Sequence, residues 1–497
     1  RIGMSLTAVC FLFVFVVGWI SGCGSEKAEA PATAPAETSQ APAQQPAKEV
    51  SKKRVVILGF DGVEPTIVDA MFAANELPNL AKLRDEGSYN RLTSAIPPQS
   101  PSAWSSFITC KNTGAHGIYD FVVRDPAGKY GPFPKPGFGR TEHTQLDTNG
   151  AVTQQASFVS YRKGDSFWKV ADGQGLKCTS LMVPFAFPAD DMTQGHMLCG
   201  LGVQDIRGTD SSFFSFSDAY EKQESVAGGA LYPLVFDGDT AKVTIPGARD
   251  TRGKFGTPTA FVETDISFKV DRTAHTVAIT TPAETITAKK DEWSQWVRWS
   301  FELSPSYSVH AISRFYAIEA GEHVNIYMAC LQYDPKSPYI RFTTPEAFSG
   351  ELEGRYGLYK TIGWDFDTHA LRKDKLTEDA FLTDVAQTMA WHERLVLDEM
   401  DKDKNMLIAA WTGPDRVSHM FWRFRDPKHP LYTEEGAKKY GRVVEDTYKK
   451  MDEIVGKVVA KLGPDDLLMI LSDHGFKSFR KGLNVNTWLV RNGYLTI

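Results

Sequence analysis

Apolar and polar positions change rhythm several times along this chain. Residues 6–20 form a fifteen-residue run without a charge. That is short for a membrane span and suits the apolar core of a secretion signal. Residues 24–51 are mostly Ala, Pro, Gln, Glu and Ser, with no large apolar residue before Val50. Such a stretch cannot bury a core and is expected to be a disordered linker. From Lys53 the pattern becomes that of alternating strands and helices. Residues 55–60 are a continuous apolar run, read as a buried parallel strand, and they end at Asp61-Gly62. Residues 65–87 predict a helix in two pieces, the second restarting at Pro78 and capped by Gly87. Residues 90–95 predict a strand, 103–109 a helix broken by Gly114 and Gly117, and 125–149 a long loop. Residues 166–172 read as a helix and 176–187 as a strand.

From about Ser215 to Asp334 apolar and polar residues alternate with period two, as in AKVTIPG, TAFVETDISFKV, HTVAITTP and SYSVHAISRFYAI. Short strands with Gly, Pro and Asp turns predict an antiparallel β insertion. A block of this kind either walls a site or elaborates the structure without touching substrate. The strand–helix rhythm then returns. It gives an amphipathic helix over 377–400, a strand over 405–411, a helix over 436–462 and a last strand over 467–471. The fold expected is α/β, with a mostly parallel central sheet flanked by helices and an antiparallel β insertion. Its core halves would span 53–210 and 336–497, with the insertion at 211–335.

Composition changes this picture little. The chain has 497 residues, 42% hydrophobic and 23% charged, with a net charge of −6. That balance gives no reason to expect nucleic acid as a partner. Six cysteines are present, two of them (Cys10 and Cys23) within the leader. The other four show no metal-ligand spacing. Outside the cytoplasm one disulfide is open to them, with Cys178–Cys199 the pairing to look for and buried free thiols the equal alternative. Residues 20–23, Ile-Ser-Gly-Cys, resemble the lipobox of bacterial lipoproteins. Residues 1–23 would then be a signal peptide, Cys23 the lipid-anchored residue, 24–52 a tether, and the rest extracytoplasmic at a membrane surface. The alternative is an uncleaved anchor with an incidental Cys. No Met opens the chain, as expected of a sequence lacking its first residues.

The chemistry sits where predicted strands end. Asp61 follows the first, Asp415 and His419 follow the strand over 405–411, and Asp473-His474 follow the last. Parallel strands bring such ends to one edge. Residues four apart on a helical turn share a face. Carboxylate with imidazole suits zinc, and less selectively manganese or iron. Ser100 lies at a predicted helix start, and a hydroxyl held beside a divalent cation becomes a nucleophile near neutral pH. Taken singly, each residue also has an ordinary reading as a turn, cap or surface residue.

Four motifs in order, VVILGFDGVEP with LPNLAKLRDEGS, SPSAWSSFITCKNTGAHGIYDF, TGPDRVSH and LSDHGF, resemble the alkaline phosphatase superfamily, and within it the type I phosphodiesterase/nucleotide pyrophosphatase branch. The resemblance implies an alkaline-phosphatase-like sandwich that hydrolyses small phosphate esters through two divalent metal ions, Zn2+ above all. Asp61, Asp473 and His474 would hold one zinc, with Ser100 as nucleophile touching it. Asp415 and His419 would hold the second. The family's further His, downstream of the DHG motif, has no counterpart after His474, so the sequence is expected to be truncated at its C-terminus. Phe121 stands where nucleotide pyrophosphatases carry a phosphate-contacting Asn. A sulfatase is disfavoured, because residues 100–104 lack the Pro and Arg of its nucleophile motif. A phosphonate hydrolase, a phosphoryl-group transferase and a non-catalytic surface binding protein stay open as alternatives. The run Met420–Phe424 is a candidate pocket wall, with Arg423 or Arg425 near phosphate, or else a helix packed in the core. Ser102 is the rival nucleophile.

Overall fold

A six-stranded sheet organises the chain. Its strands are Val55–Phe60 (β1), Cys178–Val183 (β2), His196–Cys199 (β3), Thr343–Thr344 (β4), Met406–Trp411 (β5) and Leu467–Leu471 (β6). Their spatial order is β4-β3-β2-β5-β1-β6. Every pairing is parallel except the short β3–β4 edge. The computed structural model describes residues 53–124, 134–251 and 260–496. The expected leader, Cys23 and linker lie outside the described residues.

The continuous apolar runs explain the burial. Val56, Leu58 and Phe60 on one face of β1 and Ile57 on the other are all buried, and each such side chain contributes about 1.5–3 kcal/mol relative to exposure. Phe60 stacks on Trp411 across the β1–β5 pair, with ring centroids 5.1 Å apart. Six helices matter for the site: Pro65–Ala73 (α1), Pro78–Glu86 (α2), Ser100–Thr109 (α3), Glu378–Met400 (α4), Gly413–Arg425 (α5) and Val443–Val459 (α6). Glu64 caps α1 by accepting from the Thr66 backbone N–H, and Thr377 caps α4 by accepting from that of Ala380. Phe381, Val385, Met389 and Val396 form the buried stripe of α4.

Residues 213–333 supply three further sheets. One is a five-stranded antiparallel meander over 236–289. A second has five strands and contains a parallel pair, Phe213–Ser217 with Gly229–Pro233. The third has three strands. The run SYSVHAISRFYAI, which keeps period two, is not one strand. It breaks at Arg314 into Tyr307–Ser313 and Phe315–Ala320, in different sheets. Arg314 is buried and bonds Asp384 of α4. Asp384 also takes two bonds of 2.7 Å from Lys360 Nζ. Lys360 donates to the Asp365 carbonyl, and the Asp365 carboxylate accepts from Thr412, the N-cap of α5. A buried polar chain thus runs from the β-rich segment to the head of α5.

Several expectations need correction. Residues 90–95 form no strand; they are largely exposed and lead into Pro97-Pro98. The loop expected over 125–149 contains the short strands Pro134–Pro136, Gly139–Glu142 and Gln145–Leu146. The helix expected over 436–462 is two helices, Glu434–Tyr440 and α6. The chain bends at Gly441, where a Cβ would meet the Ala437 carbonyl oxygen at 2.5 Å. Cys178 and Cys199 are both free. They lie on neighbouring strands, but Cys199 pairs with Val183. Cys178 is therefore roughly 16 Å further along the sheet, far beyond disulfide reach.

Candidate active site

Register brings the acid-bearing strand ends together. Phe60 aligns with Trp411 and Gly59 with Leu471, so Asp61, the head of α5 and the 472–475 turn share one edge. Gly62 has φ +71, and a Cβ there would lie 2.8 Å from the Cα of Asp415. Only glycine lets α5 approach this closely. The Gly62 N–H donates to Asp473 Oδ1 at 3.2 Å. On α5, Asp415 occupies the first turn, where the helix dipole favours a carboxylate. One turn later His419 places Nε2 3.4 Å from Asp415 Oδ1.

Ser100 opens α3. Its Oγ lies 3.0 Å from His474 Nε2 and 3.4 Å from Asp61 Oδ1. His474 Nε2 is also 3.5 Å from Asp61 and 3.4 Å from Asp473. Its Nδ1 donates to the Gly475 carbonyl at 2.8 Å, which leaves Nε2 facing Ser100. Donor atoms of Asp61, Asp415 and His474 all lie within 4.8 Å of one another. Asp473 borders this group through His474, and His419 borders it through Asp415.

Asp61, Asp415 and Asp473 are almost wholly buried. Burial, then the charges of Asp473 and Asp415, push the Asp61 carboxyl well above its ordinary range. Burial raises Asp473 to about 6 against the pull of His474. Burial would also raise Asp415, but His419 and Arg416 outweigh it and hold that carboxyl at about 2. Burial would lower His474, yet Asp473, Asp61 and Asp415 lift it to about 9. Three buried carboxylates beside one imidazole are too acidic a set to balance themselves. Among the described residues, Asp415 Oδ1 and Asp473 Oδ2 are buried acceptors without a hydrogen bond, each with only an imidazole Nε2 at 3.4 Å. This donor set fits divalent cations.

Other candidates sit elsewhere. Ser102 donates to the carbonyls of Pro97 and Gln99, and Ser106 bonds the Ser102 carbonyl and His116. His429 accepts from the Leu431 N–H. Met420, Phe421, Trp422 and Phe424 are core residues, while Arg423 and Arg425 pair with Glu378 and Glu445. The aromatic run therefore packs the core, and neither arginine faces the acid cluster.

Two residues escaped the sequence reading. Trp104 Nε1 donates to Asp61 Oδ2 at 2.9 Å. It lies one helical turn after Ser100, and that spacing was the available signal. Glu64 binds the turn after the DHG motif, accepting from Phe476 N at 3.0 Å and Lys477 Nζ at 2.9 Å.

The family model described as type I phosphodiesterase / nucleotide pyrophosphatase matches residues 55–497. No curated protein and no solved structure matches the chain significantly. The match spans both flanks of the sheet and all six residues singled out by motif, and the fold is the mostly parallel α/β arrangement expected of that group. The chain belongs to the type I phosphodiesterase/nucleotide pyrophosphatase family, part of the alkaline phosphatase superfamily, whose chemistry is phosphate ester hydrolysis.

Proposed function

We propose that this protein hydrolyses small phosphate esters with Ser100 as nucleophile. The observation that carries the reading is the position of Ser100 Oγ, within 3.0–3.4 Å of both His474 and Asp61, beside buried carboxylate oxygens that, among the described residues, accept no hydrogen bond. Asp61, Asp473 and His474 would hold one divalent cation and Asp415 and His419 a second, with zinc favoured by the mix of carboxylate and imidazole. When bound, such ions supply Lewis-acid chemistry, acidifying a hydroxyl and neutralising phosphoryl charge. The residues do the rest. Ser100 Oγ gives up its proton and forms a bond to phosphorus while the ester oxygen departs from the opposite side. Water then breaks the phosphoserine bond, releasing phosphate or its monoester and restoring the serine.

Trp104 holds the Asp61 carboxylate in place, and Gly62 does the same for Asp473. The N-terminal pattern supports an extracytoplasmic protein tethered through lipid at Cys23. The test is metal content together with hydrolysis of p-nitrophenyl phosphate and bis(p-nitrophenyl) phosphate by the wild type and Ser100→Ala. About two zinc ions per chain, with turnover reduced at least ~1,000-fold in the variant and metal retained, is the expected result. Unchanged turnover in Ser100→Ala would remove the nucleophile from the proposal.

A further inference from the structure

Arg416, the residue after Asp415, is a buried arginine whose Nε has no partner among the described residues. The side chain is only 4% exposed. The nearest acid is Asp415 itself, with Nη1 3.6 Å from Oδ2, too far for a hydrogen bond. What fixes the guanidinium is Trp364, whose ring centroid lies 3.9 Å away. That ring is in turn held by His369, stacked at 5.9 Å, and by the edge of Phe121 at 5.8 Å. The β-rich segment closes behind His369, since a Cβ on Gly228 would meet the His369 Cβ at 2.3 Å.

A guanidinium held over an indole face by its central carbon can still offer its N–H groups to an anion. A buried guanidinium N–H without a partner is costly. Here the cost is incurred next to a residue assigned to a cation. Burial and then the Arg416 charge also depress Arg372, and burial, Arg372 and Arg416 together depress His369.

We propose that Arg416 is the phosphate-contacting residue of the site, its guanidinium donating to non-bridging oxygens of the phosphoryl group presented to Ser100. The inference rests on the hydrolase reading above and names the group that reads its substrate's charge. Arg416 neither forms nor breaks a bond. It binds the anionic oxygens and holds phosphorus in line with Ser100.

The test measures binding of inorganic phosphate to the zinc-loaded full chain by calorimetry, for wild type, Arg416→Met, Arg416→Lys and Trp364→Leu, with zinc content measured on each. Arg416→Met is expected to weaken phosphate at least tenfold at unchanged zinc content. Arg416→Lys should recover part of the loss, and Trp364→Leu should weaken phosphate severalfold by releasing the guanidinium. If Arg416→Met does not fold, Arg416→Lys and Trp364→Leu decide: weaker phosphate in both supports the proposal, and wild-type affinity in either overturns it. Unchanged affinity in Arg416→Met overturns it, as does loss of zinc in parallel with phosphate, because Arg416 would then act by holding Asp415. The hydrolase reading fails separately. A wild type that binds phosphate but cleaves neither ester sinks the hydrolase and leaves the arginine contact to be judged on binding alone. A wild type that binds no phosphate sinks the contact.

Discussion

His474 has a partner for each ring nitrogen, the Gly475 carbonyl for Nδ1 and Ser100 for Nε2, whereas His419, among the described residues, meets the carboxylate one turn back and the ring of Phe476. The same contrast holds for their acids. Asp61 is gripped by Trp104 on one oxygen and faced by Ser100 and His474 on the other. Asp415, among the described residues, keeps Oδ1 without a hydrogen bond. The His474 ring is nearly covered, with 12% of its side chain exposed against 41% for His419. One half of the site is therefore assembled by contacts between two strand ends and the start of α3, and the other by a single helical turn. Geometry that depends on many mutual contacts is rigid, and geometry that depends on one turn can adjust.

The strongest way to break this comparison is to remove one ligand from each half. Asp61→Asn should lower kcat/KM on a nitrophenyl ester by ~1,000-fold or more, with no rescue by added zinc, because Ser100 and His474 lose their common neighbour. His419→Ala should cost less, about 100-fold, and recover partly as zinc is raised. Equal losses with equal rescue would abolish the distinction. Glu64→Gln comes next. It keeps the shape but weakens the charge-assisted bonds to Phe476 and Lys477, and about a tenfold fall in kcat is expected, with His474 rather than His419 mispositioned. Amide hydrogen exchange over 473–477 should rise, and unaltered exchange would show that the turn does not depend on Glu64.

The smallest effect concerns pH. His474 is raised to about 9 from an ordinary 6.5. A raised imidazole contributes stability that is complete below about pH 6.5 and is lost as pH climbs through about 9. Chelator-treated wild type should therefore lose roughly a few degrees of melting temperature over that window relative to His474→Asn. Saturating zinc should remove the trend, since the cation replaces the proton. A gap between the two proteins that does not change with pH would mean that the carboxylates do not hold an imidazolium.

The sheet and its acid-bearing ends were legible because five- or six-residue apolar runs closing on a carboxylate have few other readings. Asp415 and His419 were legible from their spacing, and Asp473 with His474 from the glycine that follows. Strands 134–146 were not, since their residues are short, Gly- and Pro-rich stretches whose pairing partners are chosen by tertiary contacts. The break at Arg314 was invisible for a similar reason. Period two continues straight through it, and the acid and amide that pair with the buried arginine, Asp384 and Gln387, lie seventy residues and more further on. Trp104 passes in sequence for a core aromatic, which it also is; its hydrogen bond to Asp61 shows only when the strand end arrives beside it.

The buried chain from Arg314 through Asp384, Lys360 and Asp365 to Thr412 has an engineering consequence. Residues 213–333 look like a detachable module, because their sheets are separate from the central one. Excising or exchanging them would remove Arg314 and leave Asp384 and Lys360 facing each other in the core, with the head of the helix that carries Asp415 hanging from the far end. A chimera that swaps this segment among relatives must therefore carry both ends of the ionic thread or neutralise both. Transplanting the sheets alone would alter the edge that carries the proposed site without touching any residue on it.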